Sequence, residues 1–248
     1  MFILSIFFFI TAILYSSVGF GGGSTYLALL LIWDIPYYIF PIIALLCNII
    51  VVSGNSFNYV RAGNHNFKLL VPFLIGSIPF AFFGGTLKIE KDIFEILLFF
   101  VLSIAGILLL INNKSYENNN LTTKKLNFIA SFFIGSILGL VSGIVGIGGG
   151  IFLSPILFLL KSEKPKIIVT TASLFILINS ISGILGQLTK ENILIEISNY
   201  LPLFLCVFIG GLIGNYLNLK IFTSRILAII TSFLVLFVSI RMGIKVFL

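Results

Sequence analysis

The sequence predicts an all-α polytopic membrane protein from three observations: its composition, its apolar runs and an internal repeat. Apolar residues make up 59% of the 248 residues, and charged residues make up only 9%. A water-soluble domain of this size could not bury so large an apolar fraction in one core. We therefore expect a multi-pass protein of the cell inner or plasma membrane, with the lipid bilayer as its partner and no soluble domain.

About eight apolar runs, separated by short polar connections, account for nearly the whole chain. A helix of roughly 20 residues crosses about 30 Å of hydrocarbon, so runs of this length predict membrane helices. The first run begins without a basic flank or a cleavage site, and we expect it to be retained and not removed as a signal peptide. The runs cover residues 2–33, 36–60, 69–87, 93–111, 126–160, 167–188, 197–219 and 226–240.

The two halves of the chain carry matching glycine motifs. A pentad lies about two thirds of the way into the first run of each half, as GFGGG at 19–23 and as GIGGG at 146–150. Ser-Gly pairs in the next runs and a glycine in the third runs are weaker echoes. Such self-similarity predicts two units of four segments. The echoes are Ser53-Gly54 with Ser182-Gly183, and Gly76 with Gly210.

A polar stretch divides these two units. The sequence NNKSYENNNLTTKK, at 112–125, is the longest segment without hydrophobic periodicity. Polar, biased composition of this kind is typical of a solvated linker. We therefore expect repeat 1 at residues 1–112, a linker at 113–125 and repeat 2 at 126–248.

The first run of each half is too long for a single crossing. Residues 2–33 would form a helix of about 48 Å at 1.5 Å per residue, whereas two full crossings need about 60 Å. Clustered glycines destabilise a helix and readily adopt positive φ angles. The sequence therefore predicts a helix break at 19–23 and a second one at 146–150.

Positive charges distinguish two paths through the membrane. If all eight runs cross, the 15 Lys and Arg residues divide eight against seven between the faces. If each broken run turns back to its own face, they divide ten against five. Cytoplasmic connections carry the excess of Lys and Arg, which favours the second path and places both termini outside the cytoplasm. Each half then crosses an odd number of times, so the repeats are inverted. Simple crossing is the alternative.

Four motifs in the chain resemble the sequence pattern of a known protein family. They are GFGGGSTYLALL at 19–30, NYVRAGNHNFKLL at 58–70, GIVGIGGGIFLSPIL at 143–157 and TTASLFILINS at 170–180. Together, and over the whole chain, they resemble the sulfite exporter TauE/SafE family. The resemblance implies a permease that exports sulfite or an organosulfonate.

The glycine breaks are the leading candidate for a substrate site. A helix that restarts after a break exposes backbone N–H groups at the positive end of its dipole, and such an end binds anions. In inverted-repeat transporters, broken helices form the substrate site near the bilayer midplane. The alternative is that the glycines only allow close helix packing. The candidate residues at the breaks are Gly21, Gly22, Gly23, Ser24, Gly148, Gly149 and Gly150.

Neutral groups must meet the substrate's charge. Apart from Glu95, near the start of the fourth run, no run contains Asp, Glu, Lys, Arg or His, which disfavours a carboxylate proton relay. Polar side chains instead concentrate in the run after each break, and their alternative role is hydrogen bonding between helices. The wider set is Asn48, Ser53, Asn55, Ser56, Asn58, Thr170, Thr171, Ser173, Asn179, Ser180, Ser182 and Gln187, from which we select Asn48, Thr171, Ser173 and Asn179 as substrate-binding.

The remaining reactive side chains favour ordinary roles. Cys47 and Cys206 lie inside apolar runs, where cysteine behaves as a small hydrophobe. Arg61, before the third run, is either a positive-inside anchor or a group that gathers anions at the cytoplasmic mouth. His65 is the single histidine and has no acidic or cysteine neighbour close in sequence, so we expect no metal site.

These features favour a secondary permease for a small anion. The runs carry no catalytic constellation and the chain has no nucleotide-binding motif, so we expect no enzyme activity, no cofactor and no ATP drive. The net charge of +7 lies in the connections and orients the protein, so no nucleic-acid partner is expected. Because no carboxylate lies deep in the runs, we expect facilitated efflux down a gradient, or movement of a partly protonated anion, instead of proton coupling through a carboxylate. An anion channel, a carrier for thiosulfate or sulfate, and a homo-oligomer remain compatible with the sequence.

Overall fold

The computed structural model describes residues 1–111, 126–190 and 197–217, together with scattered helical positions between 229 and 244. The predicted linker and most of the predicted eighth run lie outside the described residues. Within the described ranges the regular elements are helices. They are α1 Phe2–Ser16, α2 Gly23–Ile32, α3 Phe40–Arg61, α4 Phe67–Thr86, α5 Lys91–Ile111, α6 Phe128–Val145, α7 Gly150–Leu159, α8 Pro165–Gln187 and α9 Leu201–Leu217.

Five of the described segments are long and apolar enough to cross a bilayer. Two of them include a 3-10 turn directly before the α-helix, at Tyr37–Ile39 before α3 and at Ser198–Tyr200 before α9. The helices α2 and α7 have only ten residues each. At 1.5 Å per residue, a helix of that length is about 15 Å long and covers half of the hydrocarbon. The chain is therefore a multi-pass helical membrane protein with two half-length helices.

Both half-length helices begin at the glycine motifs. The residue before α2 is Gly22 (φ 83°) and the residue before α7 is Gly149 (φ 76°), both in the left-handed conformation that glycine adopts without strain. Further glycines with positive φ, at 19, 146 and 148, keep each connecting segment out of the α-helical region. We call residues 17–22 the first break and residues 146–149 the second break.

The chain reverses at the first break. The ring of Phe7, near the start of α1, lies 5.5 Å from the ring of Trp33, just after α2 ends. At the other end of the pair, the Tyr15 hydroxyl lies 2.6 Å from the Thr25 hydroxyl. Residues that are far apart in sequence therefore meet at one end and residues close in sequence at the other. This is the pattern of an antiparallel hairpin, so α2 runs back along α1.

The second break reverses the chain in a similar way. A Cβ atom placed on Gly149 would lie 3.4 Å from the Leu138 carbonyl oxygen, which belongs to α6 almost two turns before that helix ends. The chain after Val145 has thus already returned along α6 before α7 begins. From there α7 packs against α8. Each broken run is a hairpin of one long helix and one short helix.

Contacts between connections agree with this path. Asn66 Nδ2, before α4, donates to Glu163 Oε1, between α7 and α8, at 2.8 Å. Lys190, after α8, lies close enough to Lys88, after α4, for their charges to interact. If the broken runs return to their own faces, each of these pairs shares one face. Eight simple crossings would separate both pairs.

The long helix of each hairpin packs against a helix that is distant in sequence. Helix α1 packs along α9, helix α6 packs along α4, and α3 lies against α8 between these pairs. Small residues allow both close contacts: Cβ atoms on Gly139 and Gly210 would lie 2.7 Å from Ser77 Cα and 2.6 Å from the Phe9 carbonyl oxygen. Membrane helices that lack side chains at the contact can bring their backbones together in this way. This packing brings the ends of both hairpins to the α3–α8 pair.

Candidate functional site

The two breaks meet in the middle of the helix bundle. A Cβ atom on Gly23 would lie 2.7 Å from the Ile147 carbonyl oxygen, so α2 begins against the backbone of the second break. The Asn48 side chain lies beside both segments, because its Nδ2 atom is 2.8 Å from a Cβ placed on Gly23 and 2.8 Å from one placed on Gly148. Asn48 is eight residues into α3, about 12 Å from its start.

The orientation of Asn48 is fixed by the second break. Its Nδ2 atom donates to the Ile147 carbonyl oxygen at 3.1 Å and approaches the Gly146 carbonyl oxygen at 3.5 Å. A carbonyl can only accept, so the amide must point its NH₂ group toward these two oxygens. The Oδ1 atom then faces Gly21, is fully buried and has no hydrogen-bond partner. One strong acceptor at the meeting point is therefore unpaired.

Two helix N-termini also face this region without caps. The amides of Thr25 and Tyr26 bond to the Gly22 carbonyl, and those of Phe152 and Leu153 bond to the Gly149 carbonyl. The N–H groups that precede them in each helix have no partner four residues earlier, as at any helix start. No side chain caps α2 or α7. Each terminus therefore presents donors and a partial positive charge at the breaks.

Buried hydroxyl groups near the breaks are unpaired as well. Ser24, in the first turn of α2, is 1% exposed, and its Oγ atom has no partner. Ser180 Oγ on α8 is likewise buried without a partner and lies 3.1 Å from a Cβ placed on Gly148. Buried polar atoms are normally satisfied by protein, by water or by a ligand. Three of the nine buried unpaired side-chain atoms in the described residues, those of Ser24, Asn48 and Ser180, therefore lie at the breaks and are available to a ligand.

The side chain of Ile176 fills the space between the breaks and was absent from the sequence-based candidates. Its Cγ2 atom lies 3.1 Å from a Cβ on Gly21 and 2.8 Å from one on Gly148, and it also touches the position of a Cβ on Gly150. Sequence reasoning missed it because an isoleucine inside an apolar run carries no signal of its own. Only the meeting of both breaks at α8 makes it distinctive.

The other glycine candidates face aromatic rings. A Cβ atom on Gly22 would lie 3.1 Å from the Tyr15 ring, and one on Gly149 would lie 2.8 Å from the Phe175 ring. Their positive φ angles shape the turns, while Gly21, Gly23 and Gly148 form the contacts with Asn48. Gly148, whose φ is also positive, both forms the turn and contacts Asn48, and Gly150 contacts Ile176.

The polar candidates on α8 lie at several places. Thr171 Oγ1 donates to the Ile167 carbonyl and Asn179 Nδ2 donates to the Phe175 carbonyl, both one turn earlier in the same helix. Ser173 Oγ lies 3.0 Å from Ser56 Oγ on α3. None of these three residues is among the nearest neighbours of the break glycines, although Asn179 Oδ1 is unpaired.

Several members of the wider polar set link helices. Asn58 Nδ2 donates to Asn215 Oδ1 on α9, and Ser182 Oγ donates to the Ile78 carbonyl on α4. Gln187 Nε2 donates to the Gly143 carbonyl on α6. These are the interhelical bonds that hold membrane helices together. Arg61 is exposed, and the His65 ring contacts the Phe67 ring at a tilt of 51°, with centroids 4.8 Å apart.

Comparison with known proteins assigns the chain to a family. A family model described as Sulfite exporter TauE/SafE matches residues 4–242. The chain is 25% identical over 241 residues to a probable membrane transporter protein of Sinorhizobium fredii, covering 96% of each chain. It is 30% identical over 192 residues to one of Methanocaldococcus jannaschii, covering 74% of this chain and 70% of the relative. It is also 23% identical over 249 residues to a probable membrane transporter protein of Bacillus subtilis, covering 89% of each chain. No solved structure matches. The chain therefore belongs to the sulfite exporter TauE/SafE family of membrane transporters.

Proposed function

We propose that this protein is a secondary permease of the inner membrane that exports a small anion, sulfite or an organosulfonate, through the meeting point of its two breaks. The observation that carries the proposal is the convergence of two uncapped helix N-termini on the buried Asn48 side chain, whose Oδ1 atom is unpaired. The family description supports sulfite as the substrate to test first.

The proposed architecture is a pair of inverted repeats of four segments each, at residues 1–112 and 126–248. The packing of α1 and α6 against helices of the opposite half supports it, because a two-fold relation turns the α1–α9 contact into the α6–α4 contact. The shared face of Asn66 and Glu163 supports re-entrant hairpins. Inverted repeats bind substrate between the repeats and expose it to each face in turn.

The proposed binding mode uses backbone and neutral side chains. The substrate-binding set is Gly21, Gly22, Gly23, Ser24, Asn48, Gly148, Gly149, Gly150, Thr171, Ser173 and Asn179. The first-turn N–H groups of α2 and α7 donate to anion oxygens, and glycine allows the anion to approach the backbone. The remaining polar groups line its path along α3 and α8.

Liposome flux tests the proposal. Purified protein is reconstituted with labelled sulfite inside, and efflux is measured as a function of internal concentration, beside thiosulfate, sulfate, a small sulfonate and chloride. We expect saturable efflux that favours sulfite or the sulfonate. Flux that rises linearly with concentration would indicate a channel instead, and no flux for any anion from folded protein would refute the proposal.

A matched glycine pair locates the site. Gly148 and Gly63 both have positive φ angles, 81° and 73°, so alanine strains the backbone similarly at each. Only Gly148→Ala adds a methyl group against Asn48 and Ile176, since nothing lies within 4 Å of a Cβ on Gly63. We expect Gly148→Ala to reduce sulfite efflux at least about tenfold and Gly63→Ala to leave it within about twofold, a difference of about 1 kcal/mol or more. Equal losses would place the site elsewhere.

A further inference from the structure

We infer that the site binds its anion as a singly charged, protonated oxyanion whose hydroxyl group donates a hydrogen bond to Asn48 Oδ1. For sulfite this form is hydrogensulfite. The inference rests on the proposed function and narrows its substrate class, by charge and by the presence of one acidic hydroxyl. Two observations lead to it: the charge available at the breaks and the unpaired acceptor.

The available positive charge matches one negative charge. Each helix N-terminus is equivalent to roughly half an elementary charge, so α2 and α7 together supply about one. The side chains nearest the glycines of both breaks are those of Tyr, Asn, Ile, Val, Phe and Ser, which add no formal charge. A dianion would keep about one uncompensated charge in a buried site, where desolvation is costly. A monoanion is neutralised.

The Asn48 acceptor selects for a donor on the ligand. Its Oδ1 atom is fully buried and unpaired, and its NH₂ group is held by the second break, so the amide cannot rotate to offer a donor instead. An anion oxygen placed against Oδ1 would bring two lone pairs together. A hydroxyl group on the anion would instead donate a hydrogen bond to Oδ1. The hydroxyls of Ser24 and Ser180 both donate and accept, so they do not discriminate.

The protein's own titration does not supply this selectivity. The titratable side chains around the breaks are Tyr15 from α1, Tyr26 from α2, and Cys47 and Tyr59 from α3. Tyrosine and cysteine are predominantly neutral near pH 7. Described residues of α8 that contact the glycines are apolar, or are Ser180. These groups at the breaks therefore do not change charge between about pH 6 and 8, and an anion without a proton controls for titration elsewhere in the protein, such as at Lys190.

The test compares sulfite with chlorate. Chlorate has the pyramidal shape and electron count of sulfite, carries one charge and has no proton. Efflux of each anion is measured from liposomes containing the protein at several pH values that span the second ionisation of sulfurous acid, and leakage from protein-free liposomes is subtracted. We expect sulfite flux at fixed total concentration to rise as pH falls, in proportion to hydrogensulfite, while chlorate flux stays constant.

Asn48→Leu separates charge selection from hydroxyl selection. Leucine has a similar size but no acceptor, so we expect the hydrogensulfite-to-chlorate flux ratio to fall by about tenfold, in the range of one hydrogen bond to a charged group. Chlorate flux at or above that of hydrogensulfite, or sulfite flux that rises with pH, would overturn the inference and leave the anion permease standing. Absence of any anion flux in the wild type would overturn both.

Discussion

At the scale of single residues, the site depends on what glycine leaves out. Cβ atoms at Gly23 and Gly148 would each lie 2.8 Å from the Asn48 amide nitrogen, a distance that real Cβ contacts do not reach. The absence of these side chains lets Asn48 reach both breaks, and the backbone carbonyl of Ile147 then orients the amide. Ile176 closes the remaining space from α8.

Ile176 is expected to set the size of the site. Ile176→Ala removes three carbon atoms from between the breaks, which enlarges the site and costs about 2 to 4 kcal/mol of folding free energy. We expect the ratio of sulfonate flux to sulfite flux to rise, because larger anions then fit. The control is Ile181→Ala on the same helix, whose side chain is 45% exposed toward lipid. A selectivity change in the control as large as in Ile176→Ala would contradict this role.

Lys190, beyond the end of α8, provides a test of the fold's electrostatics. Burial, and then the neighbouring Lys88 ammonium, lower the pKa of Lys190 to about 8. Between pH 8 and about 10.5 the unfolded chain binds more protons at this side chain, so the free energy of unfolding rises with pH through that window. We expect Lys88→Gln to raise the pKa of Lys190. The pKa is measured by an NMR titration of the ¹³C-methylated lysine side chains. Lys91→Gln is the control. A Lys190 pKa near 10.5 in the wild type would contradict the packing.

The sequence predicted part of this residue-level picture. Asn48 stands out because burying an amide inside an apolar run costs free energy unless the amide is hydrogen-bonded. Thr171 and Asn179 stood out for the same reason, yet their donors bond to their own helix, an arrangement that hydrophobic periodicity does not reveal. Ile176 carried no signal, because its importance comes from the position of two distant backbone segments.

At the scale of helices, close packing between α4 and α6 holds the second hairpin in place. Gly135, Gly139 and Gly143 form a stripe on α6, and a Cβ atom at each would collide with backbone atoms of α4. The same logic applies where Gly210 and Gly214 of α9 meet α1. Small residues at one-turn spacing are a known means of membrane helix association.

A glycine pair tests whether this contact stabilises the protein. At Gly139→Ala, the added methyl group meets Ser77 Cα at 2.7 Å, so the helices must separate. At Gly211→Ala, also within a helix, the nearest atom is Val51 Cα at 3.7 Å, which is ordinary contact. We expect Gly139→Ala to reduce the free energy of unfolding by about 1 to 3 kcal/mol. A lower thermal unfolding temperature in detergent would show this loss. Gly211→Ala should be neutral or stabilising through helix propensity. The opposite order would contradict the packing.

The helix breaks themselves could be predicted from the sequence. Glycine pentads in runs too long for one crossing required an interruption, and α2 and α7 do begin at Gly23 and Gly150. The direction of the chain after each break could be inferred only from the division of Lys and Arg residues between the two faces. The Tyr15–Thr25 and Asn66–Glu163 contacts supply that information, and they form between segments whose pairing no local pattern encodes.

At the scale of the whole molecule, hairpin breaks determine which connections share a face. Ala62 and Lys161 lie in the two connections that the Asn66–Glu163 hydrogen bond joins, whereas Lys91 follows α4 on the other face. Each of these three residues is replaced in turn by a single cysteine. In a background with Cys47→Ala and Cys206→Ala, we expect a membrane-impermeant thiol reagent to label Ala62→Cys and Lys161→Cys from the cytoplasmic side only. Lys91→Cys should react from the opposite side. Labelling of the first two from opposite sides would indicate simple crossings.

If both breaks form one shared anion site, the protein binds one anion per chain, which a binding stoichiometry measures. Isothermal titration of the purified protein with sulfite at a pH where hydrogensulfite is abundant would give the number of sites per chain. We expect one site, with affinity reduced at least about tenfold in Gly23→Ala and in Gly148→Ala alike, since each methyl group meets the same Asn48 amide. Two independent sites per chain, or loss of binding in only one of the two variants, would contradict it.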